Sequence, residues 1–177
     1  MRAIHITGKH NIDKLTKMGD TSYKAIRKGM LEREETLFLN HPKQMDLVRE
    51  MYLAAPPGPT ETELLSLFKG ELNHKIQGYK GQDTKKDLHH PDTLINLEEV
   101  LEKLVASKLR CVYCSKPVFV LYKNVRDPMQ WTLDRIDNEL SHTPENTCIA
   151  CLKCNLQRRL IDKDKFTFTK KLKLKKV

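Results

Sequence analysis

Four cysteines form two Cys-x-x-Cys pairs, the spacing typical of a protein metal site. Cys111 and Cys114 make the first pair, and Cys151 and Cys154 make the second, with 36 residues between the pairs. Each pair can bring two thiolates to one ion, and two pairs complete a tetrahedral Cys₄ site. Four thiolates leave no open coordination position, so the spacing predicts a structural zinc ion rather than a catalytic one.

The fifth cysteine, Cys148, leaves two alternatives open. It lies three residues before Cys151, so it could replace one of the four ligands, or it could be a small buried residue on a strand with the sequence NTCIA. The first residues, MRAIHITGKHNIDK, lack the apolar segment of a secretory signal. We therefore expect an intracellular protein that is not secreted, in which paired cysteines bind metal rather than form disulfides.

The net charge of +9 is concentrated in the second part of the chain. Residues 1–106 contain 16 Lys and Arg and 16 Asp and Glu, whereas residues 107–177 contain 16 and 7. This imbalance predicts that the second part binds a polyanion, with nucleic acid first, although a basic surface that only aids solubility is the alternative. The predicted phosphate contacts are Arg158, Arg159, Lys170, Lys171 and Lys173.

The order CVYC, LDRIDN, EN, TCIA and CLKCN resembles the HNH (His-Me finger) endonuclease superfamily in its zinc-stapled form, which includes phage Holliday-junction resolving enzymes. The resemblance covers residues 109–160 and implies a ββα-metal fold. By position, Asp134 and Asn155 would be the ligands of a catalytic Mg²⁺ or Mn²⁺ ion, and Asn146 would brace the loop. HNH-like proteins of phages and large DNA viruses are similar, which implies a viral particle or a site of viral DNA replication.

Arg135 occupies the position where the superfamily has its catalytic histidine. A guanidinium stays protonated and cannot act as a general base, but it can bind a phosphate through two hydrogen bonds. Asp137 and His142 are the two candidate bases, although a lone loop histidine such as His142 is more often a plain surface residue. Asp134, Asp137 and Asn138 would also suit a hydrogen-bonded turn. Losing a general base costs ~10²–10⁴-fold in rate.

The elements that position these residues are predicted from periodicity and capping patterns. Helices are expected over 21–39, 41–55, 64–79 and 96–108, with a proline-rich break near 54–60, Thr60 as a cap and a polar loop over 78–92. Strands are expected over 117–122 and 130–136, and a helix over 151–160. No window is apolar enough to span a membrane, so we expect no membrane partner.

These patterns predict an α+β fold with a helical N-terminal region and a small zinc-stabilised ββα-metal, treble-clef-like domain. The helical region covers 1–106, the zinc domain 107–162 and a basic tail 163–177. The expected function is DNA binding with metal-dependent hydrolysis of phosphodiester bonds. The alternative is an inactive zinc-stapled module, for example a component of a virion or nucleoprotein assembly. The helical region would bind a protein partner or a second copy of the chain.

Overall fold

A computed structural model describes Arg27 and residues 40–53, 62–88 and 93–172. The helix predicted over 21–39, the proline-rich break, Thr60 and Lys173 lie outside these residues. The described elements, in chain order, are α1 (His41–Leu53), α2 (Thr62–Lys85), α3 (Leu97–Ala106), β1 (Trp131–Arg135), β2 (Thr147–Cys151), α4 (Leu152–Arg158) and α5 (Lys163–Lys171). The predicted α+β class is confirmed. None of the described helices is long and apolar enough to cross a membrane.

Helix α3 begins where its sequence predicts. The side chain of Asn96 accepts a hydrogen bond from the Glu99 amide (3.0 Å), and the Glu99 carboxylate accepts one from the Asn96 amide (2.8 Å). This reciprocal pair satisfies two amides that a helix start leaves without partners. Val100, Leu101 and Leu104 are buried on one face, and that face packs against α1.

Helix α2 is longer than predicted, because it continues to Lys85 through residues that we expected to form a loop. Each helical glycine costs about 1 kcal/mol relative to alanine, and Gly78 and Gly81 led to that prediction. Tertiary contacts outweigh this cost. The Tyr79 hydroxyl accepts a hydrogen bond from the Leu133 amide (2.8 Å), and the fully buried Asp83 accepts one from the His142 amide (2.8 Å).

Strands β1 and β2 form an antiparallel hairpin, in which Asp134 lies opposite Cys148 and Trp131 lies opposite Cys151. The prediction for 130–136 is confirmed, as is the helix predicted after Cys151. The strand predicted over 117–122 is wrong, since this segment makes only isolated bridges.

Gln44 of α1 explains why the segment over 117–122 is not part of the sheet. Its side-chain oxygen accepts hydrogen bonds from the amides of Val120 (2.8 Å) and Leu121 (3.1 Å), and its amide nitrogen donates to the Leu121 carbonyl (3.0 Å). A buried side chain thus takes the place of a neighbouring strand, because buried backbone groups need partners.

One continuous buried core extends from Met45 in α1 to Phe166 in α5. It includes Tyr113 and Trp131, so the helices before residue 107 and the hairpin after it share this core. The first part of the predicted basic tail folds as α5. Its N-cap is Asp162, and Phe166 packs edge-on against Tyr113 with the ring centres 5.0 Å apart.

Candidate functional site: a cysteine cluster and a cleft beside helix α2

The four paired cysteines come together as the sequence predicts. Their sulfur atoms all lie within 4.8 Å of one another, and none of the described cysteines forms a disulfide. This cysteine cluster, defined as Cys111, Cys114, Cys151 and Cys154, can hold a metal ion. The hydrogen bond between Cys111 and Cys151 is the largest cause that lowers the pKa of the Cys111 thiol, and the same bond raises the pKa of Cys151, so the two sulfur atoms share a proton when no metal is bound. Thiolates are the form in which cysteine binds metal.

Local backbone hydrogen bonds shape the first cysteine pair. The Ser115 amide donates to the Cys111 carbonyl (2.8 Å), and the Cys111 amide donates to the Lys116 carbonyl (2.9 Å). Ser115 takes a positive φ of 58°, which tightens this turn. The Val112 amide donates to the Ile149 carbonyl (3.0 Å), which fastens the turn to β2.

Cys148 is outside the cysteine cluster because of strand geometry. Side chains alternate along β2, so two residues three positions apart point to opposite faces, and Cys148 is on the face away from Cys151. The Cys148 sulfur lies 3.7 Å from the Tyr113 hydroxyl and 3.6 Å from the Asp134 carbonyl. Of the two alternatives, the structure places Cys148 as a partly buried residue on a strand.

Asp134, predicted as a metal ligand, is enclosed by protein donors. One carboxylate oxygen accepts hydrogen bonds from the Tyr113 hydroxyl (2.5 Å) and from Nε of Arg158 (2.6 Å), and the other accepts from Nη2 of Arg158 (3.1 Å). Burial, followed by this hydrogen bond to Asp134, raises the pKa of the Tyr113 hydroxyl, so it remains a donor. A buried ion pair therefore occupies both oxygens of Asp134.

Arg158, predicted as a phosphate contact, is instead one of the most buried side chains, with 1% of its surface exposed. Besides Asp134, its guanidinium donates to the carbonyls of Ile161 (2.8 Å) and Arg135. Because these acceptors lie inside the fold, the Arg158 guanidinium is not available to a phosphate. Arg159 is exposed, whereas the Lys170 ammonium donates to the Gln157 side chain (2.5 Å). Lys171 is exposed at the end of α5.

The loop between the two strands is closed by Asn146. Its side-chain oxygen accepts from the Asp137 amide (2.8 Å), and its nitrogen donates to the carbonyls of Asp137 and Ser141 (2.9 Å each). The Asp137 carboxylate caps the Glu139 amide (2.9 Å), and the Asn138 side chain donates to the Arg159 carbonyl (3.0 Å). Asp137 is not among the residues that line the cleft described next, and it lines a separate depression with Leu160.

A cleft of about 480 Å³ separates α2 from the hairpin and α4. It brings together four of the six residues that the sequence singled out for catalysis. This α2 cleft is lined, among others, by Lys75, Asp134, Arg135, Asn138, His142 and Asn155. Asp134 is its one carboxylate among the described residues, and Arg158 neutralises it.

His142 is held in the α2 cleft from three sides. Its Nδ1 lies 2.7 Å from one oxygen of Asp83, its backbone amide donates to the other oxygen (2.8 Å), and its ring stacks on Tyr79 with the centres 4.6 Å apart. Only 3% of the residue is exposed, so it is not a surface histidine. Burial lowers the pKa of His142, and Asp83 offsets this only in part.

Arg135 lies beside the same buried carboxylate, that of Asp83. One of its guanidinium nitrogens donates to the Leu140 carbonyl (3.0 Å) and lies 3.6 Å from the same Asp83 oxygen that contacts His142. The buried carboxylate of Asp83 therefore faces one cation and one titratable ring, which compensates for part of the cost of burying its charge.

Asn155 and Asp134 do not together offer the oxygen ligands of a divalent ion. The Asn155 amide nitrogen donates to the Thr132 hydroxyl (3.1 Å) and the Leu133 carbonyl (3.3 Å), and within the described residues no donor contacts its oxygen. Magnesium requires several oxygen ligands, but both oxygens of Asp134 are bound to Arg158 and Tyr113. As arranged, the Asn155 side-chain oxygen is the one oxygen of the pair left without a protein donor, which is too few to form a divalent-ion site.

Lys75 and Asp83 are site residues that the sequence did not indicate. The Lys75 ammonium donates to the Gln130 side chain (2.9 Å) and to the Trp131 carbonyl, and it lies 4.9 Å from the Trp131 ring centre. Burial, aided by Arg27, lowers the pKa of Lys75 to about 7. Asp83 continues the buried face of α2 four residues after Tyr79, but this stretch was expected to be a loop. Nothing in the local sequence distinguishes Lys75 from a solvated lysine.

Comparisons of the chain with protein-family models, with curated proteins and with solved structures find no match. The resemblance to the HNH superfamily therefore rests on the residues of this chain alone.

Proposed function

We propose that this protein is a zinc-stabilised, HNH-like nucleic-acid-binding protein that receives a DNA phosphodiester in the α2 cleft. The charge of the cleft carries the proposal. Lys75 and Arg135 line it, and its one carboxylate among the described residues, Asp134, is neutralised by Arg158. Because the buried Asp83 beside the cleft faces Arg135 and His142, the positive charge offered to an anion comes mainly from Lys75, which is protonated below its pKa of about 7.

The metal of the cysteine cluster is proposed to be zinc. A closed set of four thiolates is typical of structural zinc, and such sites stabilise small domains that lack a large core of their own. The cysteine pair at 111–114, the hairpin and α4 follow one another in the order expected for a treble-clef-like ββα-metal fold. In this proposal the zinc ion organises the fold and does not contact the DNA.

Binding of the backbone, rather than of base edges, is the mode that the cleft supports. Phosphate contacts by lysine and arginine give affinity that does not depend on sequence and that decreases as salt increases. The exposed Arg159 and Lys171 would add to this affinity outside the cleft.

A binding experiment with matched lysine variants tests the proposal. Lys75→Met and Lys153→Met each remove one amine, but only Lys75 lines the cleft, and Lys153 is exposed on α4. Binding is measured at about pH 6, where Lys75, with a pKa of about 7, is protonated. We expect Lys75→Met to weaken binding to all DNA sequences and to reduce the salt slope by about one, measured by fluorescence anisotropy. Lys153→Met is expected to have a smaller effect.

Two outcomes would contradict the proposal. Equal losses for the two variants would place binding outside the cleft, and a wild-type protein that retains no DNA at low salt would exclude DNA as the ligand. Zinc content and thermal unfolding of each variant must match the wild type, because Lys75 also joins α2 to Trp131.

Hydrolysis of the bound DNA is a second candidate function. The contact between His142 and Asp83 favours it, because a buried histidine oriented by a carboxylate is a common arrangement for proton transfer. The ion pair of Asp134 with Arg158 favours the alternative of an inactive module, because it occupies the predicted metal ligand.

A further inference from the structure

We propose that His142 is the proton acceptor for phosphodiester hydrolysis in the α2 cleft and that Asp83, from the helical region, is its positioning residue. This inference rests on the proposed binding of DNA in the cleft. The general base is then the loop residue His142 rather than the residue at position 135. Helix α2 becomes part of the active centre rather than an accessory element.

The geometry of the ring supports the proposal. Asp83 contacts Nδ1 of His142 at 2.7 Å, which favours the tautomer with a proton on Nδ1 and leaves Nε2 as the acceptor. Nε2 makes no hydrogen bond within the described part of the chain. Among the described residues, the one side-chain nitrogen or oxygen that is sealed from solvent without a hydrogen bond is Nε1 of Trp131. Nε2 of His142 is therefore accessible to solvent, and because His142 lines the α2 cleft, water can reach Nε2 there.

The stiffness of the arrangement is the second support. Asp83 is fully buried, and its two oxygens contact the ring and the backbone amide of His142, respectively. Tyr79 stacks on the ring, and the His142 carbonyl accepts from the Ile95 amide (2.9 Å). Preorganised groups of this kind lower a barrier because they need no rearrangement during the reaction.

The proposed step is balanced as follows. A water molecule loses one proton to Nε2 of His142 while its oxygen forms a bond to phosphorus. The ester bond between phosphorus and the leaving oxygen breaks, and that oxygen takes a proton from solvent. His142 then returns its proton to solvent. Arg135 and Lys75, which line the same cleft, would face the negative charge on the phosphate oxygens.

The charged and titratable groups around His142 determine the expected pH dependence. Asp83, Lys86 and Tyr79 face it from α2 and the residues that follow, and Arg135 faces it from β1. Burial lowers the pKa of His142 below 6.5, so the neutral ring that can accept a proton predominates at pH 7. The nicking rate should therefore increase with pH across this pKa and decrease again above about pH 7, where Lys75 loses the proton that gives it its charge.

The experiment is nicking of supercoiled plasmid by the full zinc-loaded chain, with Mg²⁺, with Mn²⁺ and with EDTA, across a range of pH. His142→Ala and His142→Gln are expected to lower the rate by ~10²–10⁴-fold while DNA affinity stays within about twofold. The matched control is His41→Gln, since the polar and ring contacts of His41 within the described residues are to the Leu109 carbonyl (3.0 Å) and the Phe119 ring, and His41 does not line the cleft.

Asp83→Asn separates positioning from a merely structural role. Asp83 raises the pKa of His142, so its loss should move the acidic limb of the pH–rate profile to lower pH and also reduce the rate. Wild-type protein that binds DNA but never nicks it, variants of His142 that nick at the wild-type rate, or an unshifted limb in Asp83→Asn would overturn the inference. Absence of DNA binding would overturn the proposed function and this inference with it.

Discussion

The cysteine cluster and the α2 cleft are assembled from the chain in different ways. The cluster draws all its sulfur ligands from two short turns within residues 111–154, whereas the α2 cleft combines side chains from α2, β1, the hairpin loop and α4. Spacing along the chain determines which cysteines can meet in the first case. In the second, packing of a helix against a hairpin determines which residues meet. Motifs therefore indicate the first kind of site far better than the second.

The two regions are nevertheless joined. Tyr113, between the first two cysteines, donates its hydroxyl hydrogen to Asp134 at the wall of the cleft, and its ring packs on Phe166. Asp134 in turn is paired with Arg158 at the end of α4. A substitution in the cysteine cluster is therefore expected to alter the cleft through Tyr113, Asp134 and Arg158.

Loss of the metal is expected to have the largest effect. Structural zinc sites contribute about 10–16 kcal/mol of binding free energy, which is comparable to the whole stability of a protein of this size. Cys151→Ser should therefore abolish zinc binding and the cooperative unfolding transition, measured by metal analysis and circular dichroism. Cys148→Ser is the matched control, and loss of zinc in that variant as well would contradict the assignment of four ligands.

Breaking the ion pair between the two regions should have the next largest effect. Arg158→Ala leaves the buried carboxylate of Asp134 without its cation, which typically costs ~3–5 kcal/mol, measured by urea unfolding. Arg159→Ala is the control, because an exposed neighbour should change stability by less than about 0.5 kcal/mol. If Arg158→Ala unfolds at the wild-type urea concentration, Asp134 is free to act as a ligand after all.

A smaller effect is expected in the pH dependence of stability. Burial lowers the pKa of folded His142 below 6.5, so the unfolded chain binds more protons than the folded chain as pH falls below that value. The contribution is complete above pH 6.5 and is lost as pH falls towards the lowered pKa, by at most about 1.4 kcal/mol per unit. His142→Gln should remove this slope, and His41→Gln should retain it in thermal unfolding. An unchanged slope in His142→Gln would show that His142 titrates normally in the folded protein.

Several elements could be predicted because their cause is local. Asn96 and Glu99 form a capping box within four residues of sequence, and the helix that follows has its apolar face at regular spacing. The cysteine pairs could also be predicted, because each pair lies within four residues of sequence. The strand expected over 117–122 failed because its backbone partner is the side chain of Gln44, more than seventy residues earlier.

The roles of the polar residues depended on contacts that the sequence does not contain. Arg158 follows Asn155 at a position suited to a phosphate, and only the folded chain pairs it with Asp134. Asp83 lies in a segment that its glycines and polar residues predict to be a loop, yet it is fully buried beside His142. Desolvation and pairing of charges arise only when distant segments pack, so local composition cannot reveal them.

By itself, the sequence determined the two cysteine pairs that can hold a metal ion, the basic second half, the strand over 130–136 and the helix after Cys151, because each depends on spacing or composition within a short stretch. The tertiary structure alone decided that Asp134 is bound by Arg158, that Cys148 faces away from the cluster and that Asp83 of α2 holds His142. These outcomes depend on which segments pack together and on how far each charge is buried.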